Sequence, residues 1–115
     1  MKKFLLVFII IGVVFGMGWP SFSAESAKPL IIDVRTEAEW KSGHIEGAVL
    51  IPYEKIGEKI GAIAKDKSQR IYLYCRTGRR SNIANETLNK LGYKDVINLK
   101  TLENAAEAMK LKIVK

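Results

Sequence analysis

The chain has few of the residues that cross-link proteins or bind metals. Among its 115 residues there are one cysteine and one histidine. A single cysteine excludes an intramolecular disulfide and leaves a thiol oxidoreductase without its resolving cysteine. One cysteine and one histidine are also too few for a typical zinc site. We therefore expect no metal and no other cofactor, and the free thiol of Cys75 is the first lead to a function.

The chain also lacks the charge pattern of a nucleic-acid-binding protein. Its formal charge of +7 suits an anionic substrate, a nucleic acid or a membrane surface. The positive charges are scattered, however, apart from Arg76, Arg79 and Arg80, and no basic stripe with interleaved aromatic residues is present. We therefore expect a small anion as partner and no nucleic acid.

No charged residue occurs between residues 4 and 24. Lys2 and Lys3 precede this stretch, which is apolar in its first two thirds and ends in small residues, as a secretory signal peptide does. Small residues at Ser21 and Ser23 predict cleavage after Ser23, so that residues 1–23 are removed.

Cleavage would leave residues 24–115 as one domain, periplasmic or otherwise exported, with no stable membrane association. The alternative is that the N-terminal segment stays as an anchor, but Gly16, Gly18 and Pro20 break its last third. We expect the exported domain to be a monomer. Export would make Cys75 a stronger candidate for a functional residue, because a free thiol is unusual in an oxidising compartment.

Strand-like and helix-like patterns alternate after residue 29. Buried strands are predicted at residues 30–34, 48–51, 70–74 and 96–97, and helices at 37–42, 54–64, 82–91 and 102–109. Such alternation is typical of the α/β class and predicts a mostly parallel sheet of about four strands with helices on both faces.

Residues 75–81 (CRTGRRS) join the third predicted strand to a helix. Ligands of parallel sheets bind at the carboxyl ends of the strands, which is where this loop lies. Gly78 allows the loop to curl so that its amides converge on one point, and the following helix adds the partial positive charge of its N-terminus. Such sites lower the pKa of a cysteine to about 3.5–7.5. Cys75 is therefore predicted to be an ionised nucleophile that needs no dedicated base.

The loop resembles the active-site loop of rhodanese-type sulfurtransferases. A second stretch, IDVR at residues 32–35 followed by EW, GHIEGA and IP up to residue 52, resembles the other hallmark of that family. The resemblance implies a rhodanese-like fold. It also implies that the Cys75 thiolate takes the outer sulfur of thiosulfate as a persulfide and passes it to cyanide or a thiol acceptor.

The resemblance also implies roles for other residues, which add to those expected from position alone. From position, Asp33 and Arg35 are expected to form a charged pair that ties the strand end to the helix start rather than to contact substrate, with Glu39 joining them or capping a helix. His44 lies beside a Gly turn and is expected to orient the neighbouring loop rather than act as a base. Lys100 and Thr101 stand where family members usually have a glycine pair, so a different turn beside the loop is expected. The loop amides would stabilise the persulfide and the arginines would hold the sulfonate, which makes the substrate-binding set Arg76, Thr77, Gly78, Arg79, Arg80 and Ser81.

Three other functions are weighed against this one. The first is a non-catalytic binding or stress-signalling module on the same scaffold. The second is a phosphatase or arsenate reductase, whose loops are one residue longer than the four residues that separate Cys75 from Arg80. The third is a thiol oxidoreductase, which the lack of a second cysteine disfavours.

Overall fold

Strands and helices alternate along the part of the chain that the computed structural model describes, residues 29–115. The strands are β1 (Leu30–Asp33), β2 (His44–Ile45), β3 (Val49–Leu50), β4 (Ile71–Cys75), β5 (Val96–Thr101) and β6 (Ile113–Val114). The helices are α1 (Glu37–Ser42), α2 (Ile56–Ile63), α3 (Arg79–Lys90) and α4 (Leu102–Met109). The predicted signal peptide lies outside the described residues. Within residues 29–115, no helix has the length and apolar character needed to cross a membrane.

Four strands form one parallel sheet in the order β3-β1-β4-β5. The predicted four-stranded α/β core is therefore confirmed. Asp33 at the end of β1 pairs in register with Tyr74 of β4, and Cys75 is the last residue of β4. Since the strands are parallel, these carboxyl ends meet at one edge of the sheet.

The two central strands bury side chains on both faces of the sheet. Ile32 and Leu73 pack on the side covered by α2 and α3, whereas Ile31 and Tyr74 pack on the side covered by α4. This alternation follows the two-residue period of a strand, and it explains why the sequence of these strands is almost continuously apolar. Cys75 faces the α2 and α3 side, beneath the start of α3.

A second, two-stranded sheet was not predicted. β2 pairs antiparallel with β6, so the tail beyond Leu111 returns to the segment that follows α1. Two-residue strands carry too few residues to show a period of two. The phenol oxygen of Tyr74 accepts a hydrogen bond of 3.0 Å from the Ile45 amide, and this contact joins the small sheet to the main one.

Two predicted boundaries near the loop were wrong. α3 begins at Arg79 rather than at Asn82, because Gly78 takes a left-handed conformation (φ 103°) and starts the helix at once. β5 continues to Thr101 rather than ending near Ile97, since the backbone keeps pairing through polar residues that resemble a loop. Arg79 and Arg80 therefore belong to the first turn of a helix.

Candidate active site

Cys75 ends β4 with its sulfur enclosed by the loop that follows. The Gly78 amide donates to Sγ at 2.9 Å and the Ser81 amide at 3.4 Å, while the Ser81 hydroxyl oxygen lies 3.5 Å from Sγ. The left-handed Gly78 turns the chain back toward the strand end, which brings these donors together. Cys75 is completely buried, so its sulfur lies at the bottom of a cradle of backbone amides.

The surroundings of Cys75 favour the thiolate. Burial by itself raises the pKa of the Cys75 thiol, but hydrogen bonds from the Ser81 hydroxyl and from the amides of Ser81, Gly78 and Thr77 outweigh it and lower the pKa. The Ser81 hydroxyl can serve both protonation states. It accepts from the neutral thiol while donating to the Gly78 carbonyl oxygen at 3.1 Å, and it can turn its hydrogen to the sulfur once the thiol ionises.

Arg80 is bound to a carboxylate on another helix. Its two Nη atoms donate to Oε1 and Oε2 of Glu39 at 2.8 and 2.9 Å. Glu39 also caps α1, because its carboxylate accepts from the Thr36 amide and its own amide donates to Thr36 Oγ1. The sequence-based expectation that Glu39 caps this helix is therefore confirmed. Arg80 therefore links the loop to α1.

The Arg80 ion pair lowers the pKa of Glu39 to about 2 from an ordinary value of 4.5. The hydrogen bond from Arg80 is the largest cause, and burial opposes it. Because the pKa is lower in the folded protein, the pair stabilises the fold fully above pH 4.5, and this stabilisation is lost as the pH falls toward 2.

Replacing Glu39 by glutamine is therefore expected to lower the free energy of unfolding by about 1–2 kcal/mol at pH 7, since it removes a partly exposed, charge-assisted pair. Near pH 2 the variant and the original protein should be equally stable. Urea unfolding at both pH values measures this. Glu37→Gln is the control, because Glu37 pairs with Lys41 at 3.5 Å with both side chains 72% exposed. A loss equal to that of the control would contradict a structural role for the Glu39 pair.

Asp33 and Arg35 form a buried ion pair at the end of β1. Nε and Nη2 of Arg35 donate to the two carboxylate oxygens of Asp33 at 2.9 and 2.7 Å, and Nη2 also donates to the Gly43 carbonyl oxygen at 2.6 Å. Neither side chain is more than 6% exposed. The pair thus fixes the strand end to Gly43, the C-cap of α1.

His44 contacts the same helix. Its ring stacks on Trp40 with centroids 3.5 Å apart, and Nδ1 donates to the Trp40 carbonyl oxygen at 2.8 Å. No hydrogen bond joins His44 to Cys75 within residues 29–115. His44 therefore contacts the end of α1 through Trp40.

The remaining predicted loop residues, Arg76, Thr77 and Arg79, are exposed. Of these three residues, Arg76 lines an open depression of about 320 Å³. It is lined by Arg35, Glu39, Ser42, Arg76, Leu102 and Glu103.

The sequence-based site did not include Ser42, Leu102 or Glu103. The sequence could have indicated Leu102 and Glu103, because they begin α4, which follows β5 at the carboxyl edge of the main sheet. Within residues 29–115, no three His, Cys, Asp or Glu side chains come together as metal ligands would.

Comparison with known proteins identifies relatives along most of the chain. A family model described as a rhodanese-like domain matches residues 21–101. The thiosulfate sulfurtransferase PspE of Escherichia coli (strain K12) is 35% identical over 105 residues, which cover 91% of this chain and 92% of that protein. A sulfurtransferase of Allochromatium vinosum is 36% identical over 77 residues, covering 67% of this chain and 70% of the relative.

Comparison with solved structures also identifies a rhodanese. A rhodanese with anions from E. coli superposes with a TM-score of 0.70 at 33% identity, covering 76% of this chain and 99% of the other.

Proposed function

The chain belongs to the rhodanese-like domain family of sulfurtransferases, and on that premise we propose that it is an exported thiosulfate sulfurtransferase that carries sulfur as a persulfide on Cys75. The observation that carries this proposal is the enclosure of Cys75 Sγ by the amides of Gly78 and Ser81 and the hydroxyl of Ser81. Two amide donors, together with a hydroxyl that can turn its hydrogen to the sulfur, suit an anion that forms there, whether thiolate or persulfide.

The reaction has two displacement steps at sulfur. In the first, the Cys75 thiolate attacks the outer sulfur of thiosulfate, the sulfur–sulfur bond of thiosulfate breaks, and sulfite leaves with the bonding electron pair. In the second, cyanide or a thiolate acceptor attacks the outer sulfur of the Cys75 persulfide. Thiocyanate or a new persulfide leaves, and the Cys75 thiolate is restored. Neither step requires an outside oxidant or reductant.

The loop residues stabilise the anionic sulfur in both states. The Gly78 and Ser81 amides are fixed by the turn and by the start of α3, and in the proposed persulfide they stabilise the outer sulfur, which carries the charge. α3 also adds the partial positive charge of its N-terminus. These groups do for the persulfide what they do for the thiolate.

Arg76 and Arg79 are the loop arginines proposed to hold the sulfonate end of thiosulfate. Both are exposed, whereas Arg80 is held by Glu39. Because Cys75 is fully buried, the donor reaches the sulfur only when the loop that encloses it rearranges. Small rearrangements of this kind are common when ligands bind to surface loops.

One experiment tests both the persulfide and the proposed export. The full chain is expressed with its N-terminal segment, purified from the cell envelope fraction, treated with thiosulfate, and analysed by intact mass spectrometry. We expect a mature chain that begins at Ala24 and gains the mass of one sulfur atom, which cyanide then removes as thiocyanate. An unchanged mass after thiosulfate would refute the sulfurtransferase proposal, and a retained N-terminal segment would refute cleavage after Ser23.

A further inference from the structure

Lys100 has a backbone conformation that glycine adopts more easily. Its φ is 73°, and among the described non-glycine residues only Lys110, with φ 57°, is also positive. The Asn98 side-chain oxygen holds this conformation by accepting a 2.9 Å hydrogen bond from the Lys100 amide. Unfavourable backbone conformations of this kind are often found at functional sites, where the surroundings enforce them.

The conformation places Lys100 beside the active-site loop. The register between β4 and β5 shifts, so that Leu73 pairs with Asn98 but Tyr74 pairs with Lys100. A Cβ atom added to Gly78 would lie 3.4 Å from Lys100 Cβ and 3.7 Å from Lys100 Cγ. The stem of Lys100 therefore runs along Gly78, the residue whose amide donates to the Cys75 sulfur.

Lys100 also brings a charge that no carboxylate neutralises. Arg80 is paired with Glu39, and Arg35 with Asp33. None of the salt bridges among residues 29–115 involves Lys100, whose side chain is exposed. A doubly charged donor that approaches this edge therefore meets a cation that is free to interact with it.

We propose that Lys100 is a specificity-determining residue that favours dianionic sulfur donors by placing its ammonium group at the mouth of the Cys75 loop. This inference rests on the proposed sulfurtransferase function. Glycine would take the same backbone conformation without steric cost but would supply neither the charge nor the stem that covers Gly78. Compared with glycine, lysine therefore adds the charge and the covering stem at this position.

The chain offers a matched control for the test. Lys110 is the C-cap that follows α4, is exposed, and has the other positive φ. It lies about 12 Å along the helix from the end that adjoins the loop. Lys100→Gly and Lys110→Gly therefore remove the same charge and relieve the same type of backbone conformation, and only the first does so beside Cys75.

Steady-state kinetics with two donors test the proposal at low and high ionic strength. Thiosulfate carries two charges, and methanethiosulfonate carries one and offers the same type of transferable sulfur. For Lys100→Gly we expect the KM for thiosulfate to rise about 3- to 10-fold at low salt with kcat unchanged, and the rise to shrink at high salt. The KM for methanethiosulfonate should rise less, Lys100→Arg should restore the KM for thiosulfate, and Lys110→Gly should behave as the original protein.

The outcomes separate this proposal from the one on which it rests. If the original protein gains no sulfur from thiosulfate, the proposed function fails. If it does gain sulfur but Lys100→Gly and Lys110→Gly have the same KM for thiosulfate, the role of Lys100 is refuted. A parallel loss of kcat and thermal stability in Lys100→Gly, with equal effects on both donors, would show that Lys100 only supports the structure.

Discussion

Replacement of Cys75 by serine is expected to reduce thiosulfate:cyanide sulfurtransferase activity by a factor on the order of 10⁴ or more. Serine keeps nearly the same shape but presents a hydroxyl that stays protonated near neutral pH, and oxygen in this position cannot carry a persulfide. Thiocyanate formation measures the activity, and the mass after thiosulfate treatment should show no added sulfur.

A matched control keeps the sulfur and changes only its surroundings. Ser81→Ala keeps the sulfur and both amide donors and removes only the hydroxyl that can donate to the thiolate, so it should retain measurable activity while its Cys75 pKa rises. The pH dependence of thiol alkylation reports that rise as a shift of the titration to higher pH. Thiocyanate formation by Cys75→Ser at the rate of the original protein would contradict the proposed role of Cys75.

Assays of the original protein and of Cys75→Ser with an aryl phosphate separate the rival functions. A phosphatase would hydrolyse an aryl phosphate through Cys75, whereas a sulfurtransferase should leave it intact. If the original protein lacks both activities, the non-catalytic binding module becomes the better interpretation. The short loop favours the sulfurtransferase, because the amides that surround Sγ belong to a turn that closes directly on the sulfur.

The sheet and the place of the thiol could be predicted because their signals are local. The runs that became β1 and β4 are apolar on both faces, as only strands buried on both sides are. Gly78 marked the turn, and the parallel order of the strands put Asp33 and Cys75 at one edge. These features depend on residues close together in the sequence or on general rules of chain connection.

What could not be predicted depends on partners far apart in the sequence. Glu39 and Arg80 are separated by 41 positions, and the sequence does not show that this arginine, rather than Arg76 or Arg79, meets the carboxylate. The pairing of β2 with β6 is also distant and involves only two residues on each side. The conformation of Lys100 follows from a shift in strand register, which only the assembled sheet specifies.

Loss of Arg35 should have the largest effect on stability. Arg35→Met leaves the buried carboxylate of Asp33 without its cation and the Gly43 carbonyl oxygen without its donor. Removing one partner of a buried ion pair typically lowers the free energy of unfolding by about 3–5 kcal/mol. Urea unfolding at pH 7 measures the loss, and Arg70→Met is the matched control, because Arg70 pairs with Asp95 at 3.0 Å with side chains 52% and 39% exposed. The control should lose much less stability than Arg35→Met, because its ion pair is exposed to solvent and screened.

A double variant distinguishes the cost of an uncompensated charge from the value of the pair itself. Asp33→Asn combined with Arg35→Met removes both charges, so it should recover part of the stability that Arg35→Met loses. It should not recover activity to the same extent, because the contact with Gly43 that positions the end of α1, and through α1 the Glu39–Arg80 pair, is still absent. Full recovery of activity together with stability would contradict this, and would mean that Arg35 acts on the site only by neutralising Asp33.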